Sequence, residues 1–339
     1  MADVLSSEKK RIVTMTIFDF LYKTIPAYFD EKAILYHYTS VDVLKKFIED
    51  DGDLYCTHFG VLNDSSEMMI GLSIAENYLR KRFKWSEMKC IWFRENYNLL
   101  VRSGDIVVPW VMSFSRERDS LNQWGMYTSR ETGGVAVGFE MGLLWNELDR
   151  FPGCYSKEAL TAKGEKGGIQ DRAFELRLLP CLYAEKDAKL IEDLFQEFLL
   201  PHEAAFRKIG DAMTSDEIVP KDFTEAIFSI LEVSSIIKHE AFKNEREVRL
   251  VLLPMTKSLV DCELIGGKPR WKTYVCETRK EGGDGMKTTR KALRGMIKEV
   301  VVSSHGDTDM LWTAARCLLD KYEMTWCKLE KSALPYNAR

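Results

Sequence analysis

Histidine is scarce in this 339-residue chain, with five copies, and proline is nearly so, with nine. His37, His58, His202, His239 and His305 lie far apart, and no two have the spacing of a zinc motif. Eight cysteines are present, but none forms a C-x-x-C pair, and they sit in apolar surroundings such as Leu179-Pro180-Cys181-Leu182-Tyr183. That pattern fits reduced, buried thiols rather than a disulfide framework or a thiol-based metal site. The chain has no apolar run near the ~20 residues of a membrane helix, and its first residues carry no signal-peptide pattern. The expectation is a soluble, cytoplasmic protein. Also missing are the P-loop, G-x-G-x-x-G, H-E-x-x-H and G-x-S-x-G motifs, internal repeats and long low-complexity linkers. Nor is there an excess of positive charge. The 48 basic and 52 acidic residues leave a formal charge of -4, so any contact with nucleic acid must be local.

What is present is a composition that folds, 45% hydrophobic and 29% charged. Residues 12–30 have the pattern of a leading helix. The run Ile34–Tyr38 reads as a short strand, and Ser40 suits the N-cap of a helix carrying Val41, Leu44, Phe47 and Ile48 on one face. Further strands are expected at Asp53–Phe59, Val107–Arg116, Val135–Phe139, Leu176–Ala184, Glu247–Leu253, Lys298–Ser303 and Met324–Leu329. Helices are expected from Met68 to about Phe83, near 86–101, at Asp119–Tyr127, at about 187–209 and 221–239, and from Asp307 to about Tyr322. Trp271–Cys276 is a candidate partner for the strand at Glu247–Leu253. Strands and helices mix without strict βαβ alternation, which predicts an α+β fold with a mixed, mostly antiparallel sheet flanked by helices. The expected organisation is an N-terminal helical segment at 1–32 and one domain at 33–335, with a helical insertion at about 187–239.

Five groups of residues could carry chemistry. In Tyr36-His37-Tyr38-Thr39-Ser40, His37 could hold a ribose hydroxyl or an amide, or be a core histidine packed between tyrosines. Leu62-Asn63-Asp64-Ser65-Ser66-Glu67 has the spacing of a helix cap and could also line a site. On the strand Ser113-Phe114-Ser115, the two serines share a face opposite Phe114. Trp124 and Tyr127, three apart on a helix, could stack on a flat ring or simply pack against the sheet. In Lys243-Asn244-Glu245-Arg246-Glu247-Val248-Arg249, strand alternation sets Glu245, Glu247 and Arg249 on one face. They would form either a paired-carboxylate site or an exposed salt-bridge ladder. The basic segment from Arg270 to Lys298 could touch phosphates or be a solvated surface.

Taken in order, Tyr36-His37-Tyr38-Thr39-Ser40, Leu62–Glu67, Phe114-Ser115 with Trp124 and Tyr127, Gly134–Phe139, and Glu245-x-Glu247-x-Arg249 resemble the bacterial domain-of-unknown-function family 2971. The resemblance runs over about residues 33–335. This chain departs from it in having Asn122-Gln123-Trp124-Gly125 where many members have Leu-Met-Trp. The layout also has a distant resemblance to ADP-ribosyltransferases, which carry a His or Arg on an early strand, Ser or Tyr on a middle one and a catalytic Glu on a late one. That resemblance implies NAD as substrate and a protein or nucleic-acid acceptor. It implies no metal and a possible role as a toxin or anti-phage effector. Glu247, Glu245 and His37 would then be catalytic, and His37, Tyr38, Thr39, Ser115, Trp124, Tyr127 and Arg249 would bind NAD. Such a site needs His37 and Glu247 on the same face of the sheet. The competing reading is a non-catalytic nucleotide- or partner-binding module, in which Glu245, Glu247 and Arg249 satisfy one another at the surface. A metal-dependent hydrolase using the carboxylates is a third reading.

Overall fold

A computed structural model describes residues 16–49, 54–62, 67–103, 106–150, 174–208, 221–254, 262–265, 267–273 and 293–335. The leading helix, α1 (Ile17–Thr24), is shorter than its pattern suggested. Pro26 lacks a backbone donor and disfavours helical geometry at Ile25, so a 3-10 turn at Pro26–Tyr28 follows. The chain then forms β1 (Ile34–Thr39), α2 (Val41–Ile48) and β2 (Leu54–His58), followed by α3 (Glu67–Phe83), α4 (Glu87–Arg102), β3 (Trp110–Ser115), α5 (Leu121–Tyr127), β4 (Val135–Glu140) and α6 (Met141–Arg150). Beyond these come β5 (Phe174–Pro180), β6 (Leu182–Tyr183), α7 (Ala188–Leu199), α8 (Glu203–Lys208), α9 (Lys221–Ser234), β7 (Ile237–Lys238), β8 (Glu247–Pro254), β9 (Cys262–Ile265), β10 (Lys268–Thr273), β11 (Ile297–Val302), α10 (Thr308–Lys321) and β12 (Lys328–Lys331). The expected helix at 187–209 is broken by a 3-10 turn at Leu200–His202, where Pro201 cannot donate. Among the described residues no helix is long and apolar enough to cross a membrane.

The fold is α+β. Among the described residues ten strands form one mixed sheet, antiparallel except for the β11–β12 pair, and β6 and β7 form a separate parallel pair. The sheet forks at β3. One edge of β3 pairs with β8 through six residue pairs, from Trp110↔Leu252 to Ser115↔Glu247. The other edge meets β1 only at Tyr36↔Ser115 and β2 only at Thr57↔Val111 and His58↔Trp110. One wing continues as β1-β4-β11-β12 and the other as β2-β10-β9. Trp271 therefore pairs in β10 with β2 and β9, not with β8 as its sequence position suggested.

The main core contains Leu35, Phe47, Phe114, Val137 and Phe139 from the sheet and α2, with Leu72, Leu194, Phe223 and Ile230 from the helices. A second, smaller cluster on the other face of β1 gathers Tyr36, Tyr38, Trp124, Ala136 and Val301. Helices α3, α7 and α9 pack on one another. At Gly71 a Cβ would lie 2.3 Å from the Cβ of Ser234, so only glycine allows this approach of α3 to the end of α9. The approach brings Glu67, the first residue of α3, towards β7 and β8.

Candidate functional site

The start of β8 sets the geometry. Residues Glu240–Glu245 form a 3-10 helix, and Arg246 follows it in the left-handed conformation (φ 44°, ψ 48°) before the strand begins at Glu247. Strand alternation is thus wrong for Glu245, which ends the helix rather than joining the strand. Glu247 and Arg249 do share one face. The left-handed turn still leaves Glu245 and Glu247 close enough to bind one lysine, Lys238 of β7.

Lys238 donates to Glu245 Oε2 at 2.7 Å and to Glu247 Oε2, and its Nζ lies 3.5 Å from Glu67 Oε1. Arg249, 1% exposed, donates from Nε to Glu247 Oε1 at 2.6 Å, from Nη2 to Glu67 Oε2 at 2.5 Å and from Nη1 to the Ser235 carbonyl at 2.6 Å. Ser113 Oγ adds a 2.5 Å bond to Glu247 Oε1. Three acids thus face two bases in a buried cluster, not the exposed ladder that was one reading of the sequence. Burial alone would raise the Glu247 carboxyl, but the charges of Arg249 and Lys238 outweigh it and hold its pKa down to about 2. Burial dominates at Glu245 and pushes its carboxyl up despite Lys238. Its Oε1 is buried and has no hydrogen-bond partner among the described residues.

Glu245 and Glu247 line a narrow slot where β1 parts from β3. Tyr36, Tyr38 and Tyr127 form its walls, Ser113 and Ser115 line the β3 side, and Gln123 reaches in from α5. Tyr36 donates to Glu299 Oε2 at 2.8 Å, and Tyr38 donates to the Glu117 carbonyl at 2.7 Å, so both rings are fixed at their far ends. Burial, followed by the nearby carboxylates of Glu245 and Glu247, raises the Tyr127 phenol, which stays protonated. The slot encloses about 320 Å³, part of it open to solvent. The free space inside it is about 50 Å³, well below the roughly 300–1,000 Å³ of small-molecule sites, so a ring enters only if the tyrosine walls part.

Several expected site residues lie elsewhere. Opposed residues in antiparallel strands project to the same face, so the register Tyr36↔Ser115↔Glu247 puts those three together and His37 on the opposite face. The His37 ring packs edge-on against Phe47 and Phe114 of the main core. Its Nδ1–H donates 2.9 Å to the Ser113 carbonyl, and burial lowers its pKa, keeping the ring neutral. His37 lines the slot together with Glu247, but from the opposite face of the sheet, with its ring turned to Phe47 and Phe114. Trp124 is not a slot wall either. It lies behind Tyr38, with ring centres 4.7 Å apart, and donates to Asp119 Oδ1 at 2.7 Å. Thr39 does not line the slot, and Arg249 acts on it only through Glu247. Of the Leu62–Glu67 motif, residues 63–66 lie outside the described residues, as do residues 274–292 of the basic segment. The sequence reading missed Lys238, Gln123 and the wall role of Tyr36. A lysine ending the apolar run Ile236-Ile237, seven residues before Glu245, was a signal for Lys238.

An α+β protein with a forked sheet and a tyrosine-walled, acid-floored slot is therefore the class that fold and site define. Residues 123–250 match the model of a family described as a protein of unknown function (DUF2971), which supports the family resemblance carried by the motifs. The matched stretch holds Gln123, Tyr127, Lys238, Glu245, Glu247 and Arg249, and leaves β1 and β3 outside. No curated protein and no solved structure matches the chain.

Proposed function

We propose that the slot receives the nicotinamide–ribose end of NAD and that the chain is an NAD-dependent ADP-ribosyltransferase with Glu247 as the key carboxylate. The observation that carries this reading is an ionised Glu247 at the base of a slot with three tyrosine walls. A flat, positively charged ring suits such walls and such a floor, and the nicotinamide of NAD is one. A carboxylate has about four lone-pair sites, and Glu247 accepts three hydrogen bonds, from Ser113, Arg249 and Lys238. The remaining site can accept a ribose hydroxyl and favour positive charge developing at C1′. The C1′–nitrogen bond breaks, its electron pair leaves with neutral nicotinamide, and the acceptor's nucleophile bonds to C1′. Glu245, when ionised, takes the acceptor's proton, and its raised pKa suits a base. His37 and Glu247 lie on opposite faces, so the transferase site built on His37 fails its own condition; the proposed site drops His37 and has Gln123 offer an amide to the ligand.

Nicotinamide release from NAD tests this. Wild type should release it, while Glu247→Gln and Gln123→Ala should each lose most of the rate with the fold intact by circular dichroism. Release unaffected by both substitutions would sink the proposal. A second reading, a binding module without chemistry, is favoured by the three protein donors already on Glu247. It predicts NAD binding with no release under any acceptor supplied.

A further inference from the structure

Beside the slot, past Ser115 and Arg246, lies a wider trough of about 1310 Å³, largely open to solvent. The two share a wall. Tyr38 of the slot bonds the Glu117 carbonyl, and Glu117 and Ser120 line the trough, as does Arg246, which stands between the two slot glutamates. The trough contains three acids and three bases, but they are not equally engaged. Asp119 accepts from Trp124 Nε1 at 2.7 Å, Ser332 Oγ at 2.7 Å and the Ala333 amide at 2.9 Å. Glu240 accepts from the backbone amides of Glu185 and Lys186 at 3.3 and 3.0 Å. Those two negative charges are held by the protein's own donors. Lys186, Lys243 and Arg246 instead present exposed charged heads on flexible stems. Their contacts are a 3.3 Å bond to Tyr28 Oη, a 3.3 Å pair with Glu240 and a 3.1 Å pair with Glu117, respectively. Exposed contacts of this kind cost little to exchange. Ser120 Oγ makes no capping bond at the start of α5, and Asn244 adds an amide to the wall.

We infer that the trough is a phosphate-binding site, in which Lys186, Lys243 and Arg246 hold the diphosphate of a dinucleotide whose flat ring lies in the slot. This rests on the slot reading only for which end of the ligand lies where. The slot alone is too small for a dinucleotide, and the trough beside it, with about 830 Å³ of free space, has room for its diphosphate. Arg246 faces the trough, because its left-handed backbone turns its side chain there while its neighbours Glu245 and Glu247 face Lys238 and the slot.

The test is calorimetric binding of NAD, ADP-ribose, inorganic pyrophosphate and nicotinamide riboside. It uses wild type, Lys186→Ala/Lys243→Ala and Arg246→Asn, since asparagine tolerates the left-handed backbone. Losing a charge-assisted bond to phosphate should weaken NAD and ADP-ribose about tenfold or more per variant. Nicotinamide riboside should bind all three proteins alike, and affinity for ADP-ribose should fall with added salt. If NAD binds and both variants bind it as wild type does, the trough inference is wrong and the slot reading stands. If ADP-ribose and pyrophosphate bind through the trough cations while NAD and nicotinamide riboside do not compete, the phosphate site stands and the slot reading falls. Failure of every probe to bind overturns both.

Discussion

Two charged networks flank the slot, and they differ chiefly in burial. On the β8 side, Glu67, Lys238, Glu245, Glu247 and Arg249 are all buried. On the β11 side, Glu299 accepts from Tyr36 and from Arg118, whose guanidinium also pairs with Glu330, and Lys328 lies nearby. The Arg118 side chain is 35% exposed. Both networks hold a slot residue in place, Glu247 in one and the Tyr36 ring in the other. In the first, each charge needs its partner because no water replaces it. In the second, Glu299 is also buried, but Arg118, Glu330 and Lys328 reach solvent, so water can take over part of the work.

The largest contrast should come from Arg249→Ala. It strands Glu247 and Glu67 in the interior and should cost about 3–5 kcal/mol in urea unfolding. A loss below about 1 kcal/mol would mean that the cluster is hydrated and the contrast is false. Next is pH. The folded-state pKa of Glu247 is depressed to about 2, so its contribution is present above the unfolded value of about 4.5 and is lost as pH falls from there towards 2. The loss should reach about 3 kcal/mol and should flatten in Glu247→Gln. Glu245 has the opposite sign. Its raised carboxyl favours the fold most at low pH and loses that effect as pH rises through the folded pKa. Glu245→Gln should therefore be neutral or raise the melting temperature at pH 8, relative to wild type, more than at pH 4. The smallest effect should be that of Arg118→Ala, under about 1 kcal/mol and shrinking further in high salt. A large, salt-insensitive loss there would show that the two networks are not different in kind.

Much of the fold was legible because alternation and capping act locally. Ser113 and Ser115 do face away from Phe114, and the strand at Glu247–Leu253 lies within one residue of β8. The site was legible only in part. Glu247, Glu245, Ser115, Tyr38 and Tyr127 gather in one slot, but the faces of β1 could not be assigned without the register. A one-residue choice on β1 exchanges His37 for Tyr36, and the motif gives no reason to prefer either. Glu245 was misread as a strand residue because a left-handed arginine leaves no mark in an alternation pattern. The partners that bury the charges, Lys238 and Glu67, come from β7 and α3, and no local rule brings them together.

The fork gives His37 a different importance from the one its sequence position suggested. Between its short pairings with β2 and β1, β3 exposes the Ser113 carbonyl to a gap, and an imidazole stands where a neighbouring strand would otherwise bond. His37 is a side-chain keystone: the two wings meet β3 at three residue pairs and one ring nitrogen. This tie between β1 and β3 exists only while Nδ1 of His37 carries the proton, the tautomer that a carbonyl partner selects.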